Sequence, residues 1–160
     1  MKAMRCATFL HRVTNRAHAG FTLIETLIAA VIVGVLAMVA LPTFQAQVAK
    51  GRRADAMAAL SAVLQAQERV RSNSSSYASA LADLQISSNL AKHYSLGLLG
   101  LGNPVSFSAG FEVQARPLSA SPQRHDLPCQ VISIRVEGGN VRYLASNNAG
   151  ADSSTQCWPQ

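Results

Sequence analysis

An almost unbroken apolar run from Leu27 to Leu41, entered through Gly20-Phe21-Thr22-Leu23-Ile24-Glu25, limits what this chain can become more than any other feature. Phe21 to Leu41 spans 21 residues, and about 20 apolar residues in a helix are enough to cross the hydrocarbon core of a bilayer. One carboxylate, Glu25, sits at the edge of this run. A charge at the centre of a membrane helix costs roughly 2.5–3.5 kcal/mol, and less near its end. Glu25 therefore needs a partner, or it must reach the headgroups as an incidental interfacial acid. The stretch Met1–Gly20 holds Lys2, Arg5, Arg12 and Arg16, with no acid and no long apolar core. In an ordinary secretory signal the apolar region precedes the cleavage site and is lost. Here it follows Gly20 and would stay.

The segment Gly20, Phe21 and, four residues on, Glu25 resembles the cleavage and methylation motif of type IV prepilins. The resemblance implies cleavage after Gly20 by a dedicated membrane peptidase and N-methylation of the new amino terminus at Phe21. It further implies a charge pair in which that amine meets Glu25 of a neighbouring subunit during polymerisation. A glycine suits the cleavage position, because without a side chain an extended backbone can enter a narrow protease cleft. The expected organisation is a leader at 1–20, an apolar membrane and filament-core helix at 21–52, and a globular head at 53–160. Pro42 lacks an amide hydrogen and crowds the carbonyl of Met38, so a kink is expected there, with Gly34 a second weak point. In type IVa pilin filaments the helix unwinds between a Gly and a Pro at corresponding places, which the resemblance carries to Gly34–Pro42. Ser76 to Leu84 and the terminal Cys157-Trp158 also look like this family, the latter like its PilE-type minor pilins.

The 14 basic and 8 acidic side chains give a formal charge of +6. Without the leader the chain keeps 10 basic and 8 acidic groups, or +2. The basic balance thus speaks for a targeting segment more than for a nucleic-acid surface. Of the three cysteines, Cys6 would leave with the leader. Cys129 and Cys157 remain, and in an exported chain a disulfide is the default reading, with two free thiols as the alternative. In type IV pilins a loop closed by such a bond lies on the filament surface; here a binding role and a purely stabilising one stand level.

One long helix is predicted from Phe21 to about Arg71. In its second half Ala56, Leu60, Val63, Ala66 and Val70 recur every three or four residues, an amphipathic pattern with a face to bury. Arg71 to Ser76 ends it, and Tyr77 to Leu84 reads as a short helical turn or loop. The glycine-interrupted Leu96 to Leu101 reads as a connection. Strands are expected over Phe107–Ala115, Ile132–Val136 and Val141–Ala145, with a tight turn at Gly138-Gly139-Asn140. The fold class is α+β: the long helix packs at Leu60 and Val63 against a small antiparallel sheet of three or four strands, as in the type IV pilin fold.

Basic residues of the head, Arg116, Arg124, His125, Arg135 and Arg142, invite a DNA-uptake reading. Glu112, Asp126 and Glu137 lie among them and no aromatics are interleaved, which favours a solvated, mixed-charge face. Lys50, Arg52 and Arg53 follow the apolar segment and suit lipid headgroups, acids on adjacent subunits, or simple solvation. No catalytic or metal-ligand spacing is present, so neither an enzyme nor a cofactor is expected. The resemblance implies a pilin, of minor type, stored as a single-pass inner-membrane protein with its head in the periplasm. It would then be assembled with other pilins by the inner-membrane machinery into an extracellular pilus serving twitching, adhesion or DNA uptake. A pseudopilin of a type II secretion system is the alternative, since it shares the leader, Glu25 and the long helix.

Overall fold

A computed structural model describes residues 20–86 and 91–159 of the chain, which forms two compact units, Met1–Leu41 and Pro42–Gln160. The expected leader, apart from Gly20, lies outside the described residues.

Helix α1 runs over Leu23–Asn73, two residues later at each end than predicted. Thr22 starts it: its carbonyl accepts from the Thr26 amide at 3.2 Å, and its hydroxyl accepts from the Glu25 amide at 3.3 Å. At the other end, side chains take up the last carbonyls. The Ser72 hydroxyl donates to Arg69 O at 2.8 Å, and the Ser74 hydroxyl to Val70 O at 3.0 Å. These bonds replace the partners that a helix terminus lacks. Gly34 and Pro42 both lie inside the helical run, which shows no break at either position in the single subunit.

The head is built on a four-stranded antiparallel sheet in the order β1-β2-β3-β4, with β1 at Tyr94–Leu101, β2 at Ser106–Pro117, β3 at Val131–Glu137 and β4 at Asn140–Ser146. Strand β1 corrects the expectation of a mere connection over Leu96–Leu101. Its inward residues alternate up to Gly100, where the register against β2 shifts before Leu101. The shift and the glycines hide the alternation that marks the other strands. Opposite, Gly110 is obligatory, because a Cβ there would run into the carbonyl oxygen of Val136. The hairpin between β3 and β4 closes through Gly138 and Gly139, at φ +57 and +80. Positive φ at both central residues matches the right-handed twist of the flanking strands.

The core forms where the two predicted faces meet. Ala56, Ala59, Leu60, Val63 and Ala66 of α1 join Phe111, Val113 and Ala115 of β2 and Ile132, Ile134 and Val136 of β3 in one buried cluster. Three alanines on the helix face leave room for the sheet's larger side chains. Gln67 is wholly buried on the same face, and its amide bonds both the NH and the CO of Ala78, at 2.8 and 2.9 Å. This pins the chain leaving α1 before the short 3-10 turn at Leu81–Leu84.

Leu60→Ala is expected to lower the unfolding free energy by about 2–5 kcal/mol, the usual cost of emptying a buried leucine site. Leu99→Ala, on a half-exposed side chain, should change it by less than about 0.5 kcal/mol. Chemical denaturation of the two variants in the same detergent would distinguish these cases.

Candidate functional site

The apolar unit presents its whole surface. Phe21, Leu23, Met38 and Val39 are at least 69% exposed, and no part of the run is buried by the chain itself. It is long and apolar enough to cross a membrane by length and composition. Glu25 lies in the first turn, within the pattern Thr22-Leu23-Ile24-Glu25. A carboxylate there is favoured by the positive end of the helix dipole. That local preference explains a tolerated acid, and the Glu25 side chain is exposed, with no ion-pair partner among the described residues.

In the head, the disulfide between Cys129 and Cys157 is present, with Cα atoms 5.8 Å apart and a sequence separation of 28. It ties the 3-10 turn at Leu127–Cys129 to the short helix α2, Ser154–Cys157, and so brackets the β3–β4 hairpin. Trp158 closes the end: its indole donates to Leu144 O at 2.9 Å, and its ring meets Tyr143 edge-on at 4.8 Å.

An ion pair that no local pattern announces seats this end on α1. Arg53 Nε lies 3.0 Å from Asp126 Oδ2, and its Nη1 lies 3.0 Å from Cys129 Sγ. The Asp126 side chain is only 7% exposed. The Gln123 amide also donates to that carboxylate at 2.7 Å, and to Ala49 O at 3.3 Å. Burial raises the Asp126 pKa above its ordinary value despite the opposing pull of Arg53 and Gln123. Burial likewise raises Tyr94, with Asp126 adding to it and Gln123, Arg53 and Arg52 opposing. Arg53 is therefore an internal structural cation, not one free for headgroups or neighbours.

The other cations sort into two groups. Arg135 and Arg142 stand directly opposite one another on β3 and β4. Glu137 lies between them, 3.3 and 3.4 Å away, and Glu112 is 3.9 Å from Arg135. That part of the sheet is the expected mixed-charge face. Arg116 and Arg124 have no carboxylate within ion-pair distance among the described residues; Arg116 bonds Gln114 at 2.9 Å and Arg124 bonds His125 at 3.1 Å. Arg116 opens onto a polar groove of about 510 Å³ with Gln130, Asn147, Asn148 and Gly150. The Asn147 side chain shapes its far wall by accepting from the Ala149 and Ala151 amides at 2.9 and 3.0 Å.

Residues 15–41 match a family model described as a prokaryotic N-terminal methylation motif. Residues 42–133, more than half of the chain, match the model described as type IV minor pilin ComP, DNA uptake sequence receptor. The chain belongs to this ComP family of type IV minor pilins. No curated protein matches it. The family match, the long apolar helix and the four-stranded sheet agree on a minor subunit of a type IV pilus, and they give the secretion-piston alternative no support. The match ends at residue 133, before Cys157-Trp158.

Arg53→Ala would strand a buried carboxylate and is expected to destabilise the head by about 3–5 kcal/mol. Asp126 binds its proton more tightly folded than unfolded, so its contribution is full below the unfolded pKa, near 3.9. It is lost as pH rises through the higher folded value. The stability of the parent relative to Asp126→Asn should therefore fall between pH 4 and neutrality. Denaturation of both proteins across that range checks the sign.

Proposed function

We propose that this minor pilin is cut between Gly20 and Phe21 and methylated on the Phe21 amine. It would be held in the inner membrane by a single span with its head outside the cytoplasm. It then enters the pilus when that amine pairs with Glu25 of a subunit already assembled. The observation that carries this reading is the setting of Glu25: one exposed acid at the edge of an apolar helical segment of which no residue is buried. Buried charges are tolerated when paired. Apolar packing favours bundling but sets no register, whereas a cation meeting an anion at a defined residue does. Peptidase, assembly machinery and other pilins are the partners this scheme requires. Unwinding between Gly34 and Pro42 belongs to the assembled state, where glycine's low helix propensity and the missing Pro42 amide lower its cost.

The family's description as a DNA uptake sequence receptor extends the proposal to DNA. The groove beside Arg116 has the chemistry for it. A guanidinium without a carboxylate can meet a phosphate, and the side-chain amides of Gln130, Asn147 and Asn148 can bond backbone or base edges. Arg135 and Arg142, already neutralised by glutamates, are poor candidates by comparison.

Glu25→Ala is expected to leave membrane insertion intact and to remove the subunit from sheared pili; unchanged incorporation would end the charge-pair scheme. Arg116→Glu should weaken binding of short duplexes and lower the salt slope by about one phosphate contact or more, with Arg142→Gln much milder. Fluorescence anisotropy across a salt series reads both, and equal effects of the two substitutions would remove the groove from the account.

A further inference from the structure

The two sulfurs of the head's disulfide have opposite surroundings. Cys129 Sγ meets a cation: Arg53 Nη1 donates to it at 3.0 Å. Asp126 holds the Nε edge of that guanidinium at 3.0 Å and is itself shared with the Gln123 amide at 2.7 Å. Cys157 Sγ meets oxygens, with the Pro128 carbonyl and the Ser153 hydroxyl each 3.4 Å away. That hydroxyl already donates to Pro128 O at 2.7 Å, so it turns lone pairs toward the sulfur. Once the bond opens, negative charge is favoured on Cys129 and disfavoured on Cys157. Access is asymmetric in the same sense. A groove of about 400 Å³ beside Trp158 has Met57 and Pro128 as further apolar walls, Lys50 and Arg53 as cations, and Cys157 in its lining. Cys157 keeps 5% exposure, whereas Cys129 is wholly buried and does not line the groove. Lys50 is exposed and has no carboxylate within ion-pair distance among the described residues.

We infer that this groove is a thiol–disulfide exchange site, where the thiolate of an exchange partner attacks Cys157 and Cys129 is the leaving group. The incoming thiolate forms a bond to Cys157 Sγ, the Cys129–Cys157 bond breaks, and its electron pair leaves on Cys129 Sγ beside Arg53. One disulfide is exchanged for another, so the step needs no further oxidant or reductant. The reverse step closes the loop: the Cys129 thiolate attacks Cys157 Sγ of the mixed disulfide, and the partner's thiolate departs. Which sulfur is attacked follows from access and from the stability of the leaving thiolate, and here both select Cys157. The groove also defines the partner. Met57, Pro128 and Trp158 suit an apolar segment beside the attacking cysteine, and Lys50 suits an acid carried with it. A thiol–disulfide exchange protein with such a segment would open or close the loop that brackets the β3–β4 hairpin.

The full chain, oxidised and folded in detergent, is treated briefly with glutathione as the probe thiol and quenched in acid. Peptide mass mapping then locates the glutathione adducts, while hydrogen exchange in β3 reports that the head stays folded. Adducts on Cys157 should exceed those on Cys129 by about tenfold or more, from leaving-thiolate stability and access together. In urea the two positions should carry adduct about equally. The double variant Arg53→Gln/Asp126→Asn removes both charges without stranding either, and the preference should fall in it by about fivefold. Lys50→Gln should slow the reaction with anionic glutathione about two- to fivefold, the worth of one exposed ion pair, and leave that with uncharged 2-mercaptoethanol unchanged. Adducts on Cys129, an even distribution in the folded chain, or no adduct until the chain unfolds would each overturn the inference. So would a preference that persists in urea or in the double variant, or equal slowing of both thiols by Lys50→Gln.

Discussion

An apolar helical segment with no buried residue is the constraint on which the rest of the molecule depends. Water is a poor solvent for it, so the chain has stable environments only in lipid or among the helices of other subunits. Those two environments correspond to a membrane-anchored subunit and to one assembled in the pilus. In the proposed scheme Glu25 makes the second environment specific. In lipid it sits near the end of the span, where the charge is cheapest; among other helices it asks for a cation at a defined position. In the proposed scheme a single acid would turn general apolar packing into ordered addition.

The head depends on a different set of contacts. Its stabilising contacts concentrate at both ends of the amphipathic part of α1. Arg53, Asp126, Gln123 and the Cys129–Cys157 bond fasten the β2–β3 connection and the C-terminal tail to the first turns after the apolar segment. Gln67 fastens the chain leaving the helix at the other end. Closing a loop of this length with a disulfide adds roughly 3–4 kcal/mol in the chain-entropy model. A head joined to its helix only by apolar contact would lack these directional ties.

Much of this was legible in the residues. Positions 56, 60, 63 and 66 mark a helix face by spacing alone, and β2, β3 and the Gly138-Gly139 turn follow from alternation and turn chemistry. Strand β1 was not legible, because Gly97 and Gly100 interrupt it and the register shift at Leu101 breaks its period. The Arg53–Asp126 pair joins residues far apart in sequence, and no local pattern announces such a contact. Nothing in the local sequence sets Gln67 apart from other polar helix residues; its role depends on a backbone turn that begins after the helix ends. Among the head's basic residues, charge counting treated Arg135 and Arg116 alike. Only the sheet register, which sets Glu112 and Glu137 beside Arg135, separates a neutralised cation from an available one.

The measurement that most directly tests the account is the intact mass and N-terminal analysis of the chain taken from membranes and from sheared surface filaments of its own host. The account predicts a chain in both fractions that begins at N-methylated Phe21 and is two hydrogens lighter than its fully reduced form. A chain in the filament fraction that still carries Met1 to Gly20 would contradict it, because the amine meant to meet Glu25 would not exist.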